Sequence, residues 1–286
     1  MELRDGNVAV VTADENGTAV ARHEQPGTSA SVAADAVRTI ATGAMRVGIA
    51  VRDPLDPSIA DVVAAAAGAA GTPAAPRVIT RGNAAALGEQ WCGAARGARY
   101  VVALTASDRV HAGIVIDGQV FEGAHGLAGA AGWLALNPVE REDYRKMGCL
   151  EAEIGAPGIV RRLIWRLKSG DVSRVLDRAG GNTSQITVHH IIEAARDGDG
   201  VSISVVRDTA RYIGMAIGNL VAIIDPDVVV LGGLIAEAGD LLIEPARVEA
   251  SRRTQTSVGS AVRIVAGTLG DDAAALGAAR AAMLAT

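Results

Sequence analysis

The 286-residue chain has two cysteines, 2% aromatic residues and fewer basic than acidic side chains, with 27 Lys and Arg against 32 Asp and Glu. Cys92 and Cys149 are too few for a disulfide framework, and Met1 is followed at once by Glu2, Arg4 and Asp5 where a secretory leader would be apolar. A reducing cytoplasmic setting is expected. The net charge of −5 supplies no clustered cationic excess for phosphate backbones, and so few rings leave little to stack on bases. Nucleic acid is therefore not expected as a partner. The longest apolar stretch, Ile213 to Ile224, is too short to span a bilayer and runs into Asp225-Pro226, which argues equally against a membrane role.

What is abundant is small and aliphatic: 49% of residues are hydrophobic and 34 are glycine. A core of Ala, Val, Ile and Leu joined by many tight turns suits α/β layering, and the length allows one large or two modest domains. "NVAVVTADENGTAVARHEQ" reads as two strands joined around Asp14, Asn16 and Gly17. Helix then strand follows in "AVRTIATGAMRVGIAV", and again in "DVVAAAAGAAGTPAAPRVIT". Residues 80–83 read as a polar loop before a helix over 84–96, followed by the strands "RYVVALTA" and "AGIVIDGQVFEG", the second turning at Asp117-Gly118.

The second half is more helical. Amphipathic patterns occur in "GIVRRLIWRLKSG" and "SQITVHHIIEAARDG", and a long helix in "VSISVVRDTARYIGMAIGNLVAII". "DPDVVVLGG" is an all-apolar strand ended by two glycines, and a helix over 235–253, the strand "AVRIVAG" and a final helix complete the chain. These patterns predict two α/β lobes, with bounds expected at residues 1–105 and 106–269; the last helix, 270–286, is expected to pack on the first lobe.

The order of "VGIAV", "NAAALGE", "AGIVIDGQVFEGAHGLAGAAGW", "MGCLE", "DPDVVVLGG" and "GDDAAALGAA" resembles the ROK family of bacterial sugar kinases and sugar-responsive repressors. The resemblance runs over nearly the whole chain. It implies a two-lobed actin-like, hexokinase-like (ribonuclease H-like) α/β fold in which sugar and ATP meet in an interlobe cleft.

The chemistry the resemblance implies has largely gone from the matching positions. A sugar hydroxyl needs a carboxylate to accept its proton while amides and Mg²⁺ steady the phosphoryl group. The family carries that base as the Asp of Asn-Asp-Ala-Asn, which here reads Thr80-Arg81-Gly82-Asn83. Arg81 cannot act as a base, so no catalytic residue is assigned. The amino-terminal phosphate motif falls on Glu2-Leu3-Arg4-Asp5-Gly6, and the Gly-Thr-Gly phosphate loop on Ser107-Asp108-Arg109 with Gly113 kept beyond it. Gly232 and Gly233 match the segment beside adenosine; with Ser107, Asp108, Arg109 and Gly113 they would form a vestigial nucleotide site, although two glycines also suit a plain sheet-to-helix turn.

The sugar-contacting Glu and the zinc-binding His of the family's Gly-Glu-x-Gly-His fall on Ala130 and Trp133. The three zinc cysteines fall on Glu142, Tyr144 and Cys149, so no zinc is expected. Glu151, matching a second sugar-contacting Glu, and Asn83 remain; with Arg81, Ala130 and Trp133 they make up the expected substrate pocket. Outside these motifs, His189 and His190 face different ways on one helix and are poor joint ligands, His125 lies between two glycine clusters, and Cys92 reads as core. Arg161, Arg162, Arg166 and Lys168 form a basic helical face, a solvated surface or an anion or partner site.

Three functions remain open. The first is a sugar-kinase-like protein without kinase activity, a pseudokinase that binds a ligand, regulates or serves as an assembly subunit. The second is an enzyme that has turned the old pocket to an anionic or cyclic substrate. The third is an ATP-dependent hexose kinase that uses Asp5, Asp108 or Glu151. Mg-ATP is implied as a cofactor only in the last case. The expected partners are a sugar or sugar-like small molecule, neutral or anionic, and further copies of the chain. The family's repressors carry an amino-terminal helix-turn-helix that this sequence does not show.

Overall fold

A computed structural model describes residues 1–41, 45–72, 74–255 and 261–285. By internal contacts the chain divides into two compact units, Met1–Ala103 with Ala112–Gly129 and Gly267–Thr286, and Leu104–His111 with Ala130–Ala266. The division is not a single cut near residue 105, because Ala112–Gly129 goes with the first unit.

The first sheet contains β1 (Glu2–Leu3), β2 (Asn7–Ala13), β3 (Ala19–Pro26), β4 (Gly48–Val51) and β5 (Arg77–Thr80), ordered β3-β2-β1-β4-β5. β2 and β3 form an antiparallel hairpin whose turn is held by Asp14, its carboxylate accepting from the Asn16 and Thr18 amides at 2.9 and 2.8 Å. β4 pairs in parallel with both β1 and β5, and the helices α1 (Ala30–Ile40) and α2 (Ala60–Ala69) lie between strands in the chain, as parallel pairing requires. Ile49, Val51, Val8 and Val37 lie in the core on this sheet.

The expected loop at 80–83 is helical. Thr80 is the N-cap of α3 (Arg81–Cys92), its hydroxyl accepting from the Asn83 amide at 3.2 Å, so Arg81, Gly82 and Asn83 make up the first turn. A second five-stranded sheet has the order β10-β9-β6-β7-β8, from β6 (Tyr100–Ala106), β7 (Val110–Ile116), β8 (Gln119–Val120), β9 (Val228–Gly233) and β10 (Arg263–Ala266).

The second unit carries α4 (Glu142–Met147), α5 (Cys149–Ile154), α6 (Ala156–Lys168), α7 (Val175–Arg178), α8 (Val188–Arg196) and the 25-residue α9 (Gly200–Ile224). Asp199 caps α9: its carboxylate accepts from the Ser202 amide at 2.8 Å, the Arg174 amide at 2.9 Å and the Ser173 hydroxyl at 3.0 Å. Burial alone would raise the pKa of Asp199, yet these bonds outweigh it and hold the group below the usual carboxylate range. The single helix expected over 235–253 is instead α10 (Leu234–Glu237) and α11 (Gly239–Ser251), with the break beside Gly239, a residue of low helix propensity.

Residues 273–284 form the last helix, α12 (Ala273–Leu284), which packs on α3 within the first unit. The two backbones nearly touch: a Cβ on Gly277 would lie 1.7 Å from the Ala84 carbonyl oxygen. Of the helix expected over 270–286, residue 286 lies outside the described residues.

Candidate functional site

In the first unit the position of the expected base is occupied by an ion-paired arginine. The Arg81 Nε lies 2.8 Å from Oε1 of Glu2, and the Arg4 Nε lies 2.9 Å from Oε2 of the same carboxylate. The Glu2 side chain is 5% exposed, and those of Arg81 and Arg4 are 16% and 17% exposed. Arg4 is fixed further by its Nη2, which donates to the Asp271 carbonyl at 2.6 Å. A cation in the first turn of α3 opposes the helix dipole, and the buried Glu2 carboxylate offsets it. Neither group is placed for base catalysis, because Arg81 stays protonated and both oxygens of Glu2 are held by guanidinium donors.

Asn83 and Gly113 join α3 to β7. Asn83 is fully buried, and its Oδ1 accepts from the Ile114 amide at 3.1 Å. A Cβ on Gly82 would lie 2.0 Å from the Ala112 carbonyl oxygen, and one on Gly113 1.9 Å from that of Gly82. Close backbone packing alone therefore accounts for Gly113.

In the second unit, Ser107, Asp108 and Arg109 form the turn between β6 and β7. The Ser107 amide donates to the Arg109 carbonyl at 2.9 Å, and the Ser107 carbonyl accepts from the Ala156 amide at the start of α6 at 2.8 Å. Asp108 points to solvent. Arg109 reaches Glu151 on α5, Nη1 to Oε1 at 2.8 Å, while the Val110 amide donates to Oε2 at 3.0 Å. Glu151 thus spends one oxygen on a guanidinium and the other on the start of β7. Gly132 packs against Glu151, with a virtual Cβ 3.2 Å from that of Glu151, and the neighbouring Ala130 and Trp133 are exposed.

Gly232 and Gly233 form a tight turn at the end of β9. Gly233 has φ +60°, and a Cβ there would meet the Ala106 carbonyl oxygen at 2.3 Å.

The positions matching zinc ligands hold other chemistry. Tyr144 and Cys149 lie in an apolar cluster with Ala152, Leu136 and Met147, the Tyr144 hydroxyl donates to Glu153, and Glu142 pairs with Lys146 at 2.7 Å. Burial and the bond to Glu153 push the Tyr144 hydroxyl far above its usual pKa. One thiol, a protonated phenol and a surface carboxylate do not fit a thiolate-rich tetrahedral site. Among the described residues no group of three or more His, Cys, Asp or Glu is placed to hold a metal.

The remaining sequence candidates are scattered. His189 pairs with Glu237 at 3.5 Å, His190 completes a capping box with Thr187, and His125 is exposed in a turn. Cys92 donates to the Gly88 carbonyl, and burial raises its pKa, the reverse of what a reactive thiolate needs. The basic face of α6 is not simply solvated: Arg161, Arg162 and Arg166 line a cavity. Glu2 as the partner of Arg81, and Glu153 and Arg141 on the wall of that cavity, carry no motif that marks them in the sequence.

The ROK family model matches residues 72–284. The chain belongs to the ROK family. It is 34% identical over 202 residues to the glucokinase of Halalkalibacterium halodurans, covering 68% of this chain and 59% of that protein. It is 30% identical over 201 residues to the xylose repressor of Caldicellulosiruptor bescii, covering 68% of this chain and 49% of that one. The chain thus spans between about half and three fifths of the curated relatives it matches.

Among solved structures, the ROK hexokinase from Thermus thermophilus superposes with a TM-score of 0.75 at 26% identity, covering 99% of this chain and 96% of that one. A ROK glucokinase from Streptomyces griseus, in complex with glucose and AMPPNP, gives a TM-score of 0.81 at 24% identity over 98% and 96% of the two chains. The fold is the two-lobed α/β, hexokinase-like and actin-like architecture of the family. Among the described residues of this ROK chain, no helix is long and apolar enough to cross a membrane.

Proposed function

We propose that this ROK protein is a pseudokinase, one that retains the sugar-kinase scaffold without phosphorylating sugar and works through ligand binding, regulation or assembly. The carrying observation is Arg81, which stands at the position of the family's base and is locked to a buried Glu2. The segments that resemble the family's phosphate motifs are a poor fit for a triphosphate. Arg4 and Glu2 spend their side chains on each other, and the exposed carboxylate of Asp108 replaces the central residue of a glycine-rich phosphate loop. Glu151, the carboxylate left on the sugar side, is occupied by Arg109 and the Val110 amide.

A second reading, an ATP-dependent hexose kinase, draws support from the glucokinases among the relatives. It requires Asp5 or Asp108 to act as base, or Glu2 or Glu151 to leave its arginine and do so. Phosphorus NMR of Mg-ATP incubated with glucose and the protein separates the two, because only a kinase moves the terminal phosphoryl group to the sugar. The pseudokinase reading predicts no sugar phosphate above the enzyme-free background, and glucose-dependent formation of sugar phosphate and ADP overturns it.

A further inference from the structure

Within the second unit, α6, α9 and the segment before α4 enclose a cavity of about 820 Å³, within the range that holds a small molecule. Its charge is one-sided. Arg141, Arg161, Arg162, Arg166 and Arg211 line it, against the carboxylates of Glu153 and Asp208. That leaves an excess of three positive charges on the wall, cut to one by Asp143 and Asp171, which pair with Arg161 and Arg166 from outside the lining.

The arginines fall into two sets. Arg162 is fixed: it pairs with the buried Glu153, donates to the Thr209 hydroxyl at 2.9 Å and lies 5.7 Å above the Tyr212 ring. Glu153 is saturated, since it also takes the Tyr144 hydroxyl and Arg141, and so cannot neutralise anything more. Arg161, Arg166 and Arg211 lie nearer the rim and pair with Asp143, Asp171 and Asp208; Arg161 also donates to the Ala152 carbonyl at 2.8 Å and Arg166 to the Ser204 hydroxyl at 3.2 Å, which leaves the rest of each guanidinium fork for a ligand. Exposed pairs of this kind are worth about 1 kcal/mol or less, so an anion that offers bidentate oxygens can displace the rim carboxylates. Trp165, on the same face of α6, is 65% exposed and gives the cavity a flat apolar wall.

We propose that this cavity is an effector site for a small organic phosphate, its phosphate held by Arg161, Arg166 and Arg211 and its carbon skeleton lying against Trp165. Arginine rather than lysine on this wall suits planar, bidentate recognition of phosphate oxygens. None of the lining residues is a position matched to the family's catalytic, phosphate or zinc motifs, although Tyr144 bonds Glu153 on the wall, and the proposal stands whether or not the pseudokinase reading does.

The test is calorimetric titration of the full chain with inorganic phosphate, pyrophosphate and glucose 6-phosphate at 50 and 300 mM salt. The expected result is saturable binding of glucose 6-phosphate, at least fivefold tighter than inorganic phosphate and weakened by salt. Tighter binding of pyrophosphate than of glucose 6-phosphate would show that phosphate charge alone is read, and would overturn the role of Trp165. The double variant Arg166→Ala/Arg211→Ala, altered at one half-buried and one exposed position, should lose at least tenfold in affinity while its melting temperature stays within about 3 °C. Arg38→Ala, which removes one exposed charge from the first unit, should leave the affinity unchanged. Absence of binding by all three probes, or equal loss in both variants, would overturn the proposal. So would sedimentation showing a dimer that the double variant dissociates, because a second copy would then be the occupant.

Discussion

Replacing Arg81 by Asp puts the residue expected of the family's base position into the first turn of α3, and the structure predicts a less stable protein. Arg81→Asp removes the guanidinium from Oε1 of Glu2 and sets a second carboxylate close to a side chain that is 5% exposed. At about 5 Å and an effective dielectric near 20, two such charges repel by roughly 3 kcal/mol. Loss of the pair adds to this cost; Arg4 on Oε2 and the preference of a helix N-terminus for an acid reduce it, the latter by about 0.3–1 kcal/mol.

The net expectation for Arg81→Asp is a loss of about 3–4 kcal/mol at pH 8, and for the uncharged Arg81→Asn about 1.5–2.5 kcal/mol, since a buried carboxylate is left with one partner. Two crowded carboxylates raise one folded-state pKa, so the folded variant binds more protons than the unfolded chain, and its deficit shrinks as pH falls. Urea unfolding followed by circular dichroism at pH 8, 6.5 and 5 should place Arg81→Asp below Arg81→Asn at pH 8 and close to it at pH 5. An Arg81→Asp protein as stable as the parent at pH 8, or a deficit indifferent to pH, would refute the pairing of residue 81 with Glu2.

Three further outcomes follow from the geometry. Gly113→Ala drives a methyl into the Gly82 carbonyl and should cost at least about 3 kcal/mol in urea unfolding, whatever nucleotide is present. Asp199→Asn should cost about 1–2 kcal/mol near pH 7 by weakening the α9 cap. Because the folded pKa of Asp199 is depressed, its stabilisation is present above the unfolded value and lost as pH falls through the folded one, so parent and variant should converge in acid denaturation. Glu151→Ala leaves the buried Val110 amide without its acceptor and should cost about 1–3 kcal/mol, whereas Arg109→Ala, at a side chain 40% exposed, should cost about 1 kcal/mol or less on thermal melting.

Local chemistry made part of this legible in the sequence. Asp14, Asn16 and Gly17 announced the β2–β3 turn because their side-chain and backbone preferences act within five residues. The unbroken run at β9 announced a buried strand in the same way. Arg81, Gly82 and Asn83 misled because Gly and Asn are turn residues. Thr80 as a cap three residues before the Asn83 amide decides in favour of helix, and that signal was present in the sequence.

The pairing of Glu2 with Arg81 could not be read along the chain. The two are separated by 79 positions and meet because β1 pairs with β4 and β4 with β5, bringing the ends of distant strands together. The basic stripe of α6 was visible at helical spacing, but its meaning depends on Glu153 and α9, which close a cavity over it. A pattern on one helix records which face differs; only the packing shows what that face meets.

On the pseudokinase reading, Arg81 and Arg109, each paired with a carboxylate, occupy positions that resemble the family's base and phosphate-loop residues. The most direct test of that reading is a coupled assay of ADP release from Mg-ATP with glucose and a panel of hexoses, run beside an active ROK glucokinase. The predicted result is no sugar-dependent turnover by this protein above the enzyme-free background. Sugar-dependent ADP release would contradict the account, and its loss in Asp5→Asn, Asp108→Asn, Glu2→Gln or Glu151→Gln would identify the carboxylate that serves as base.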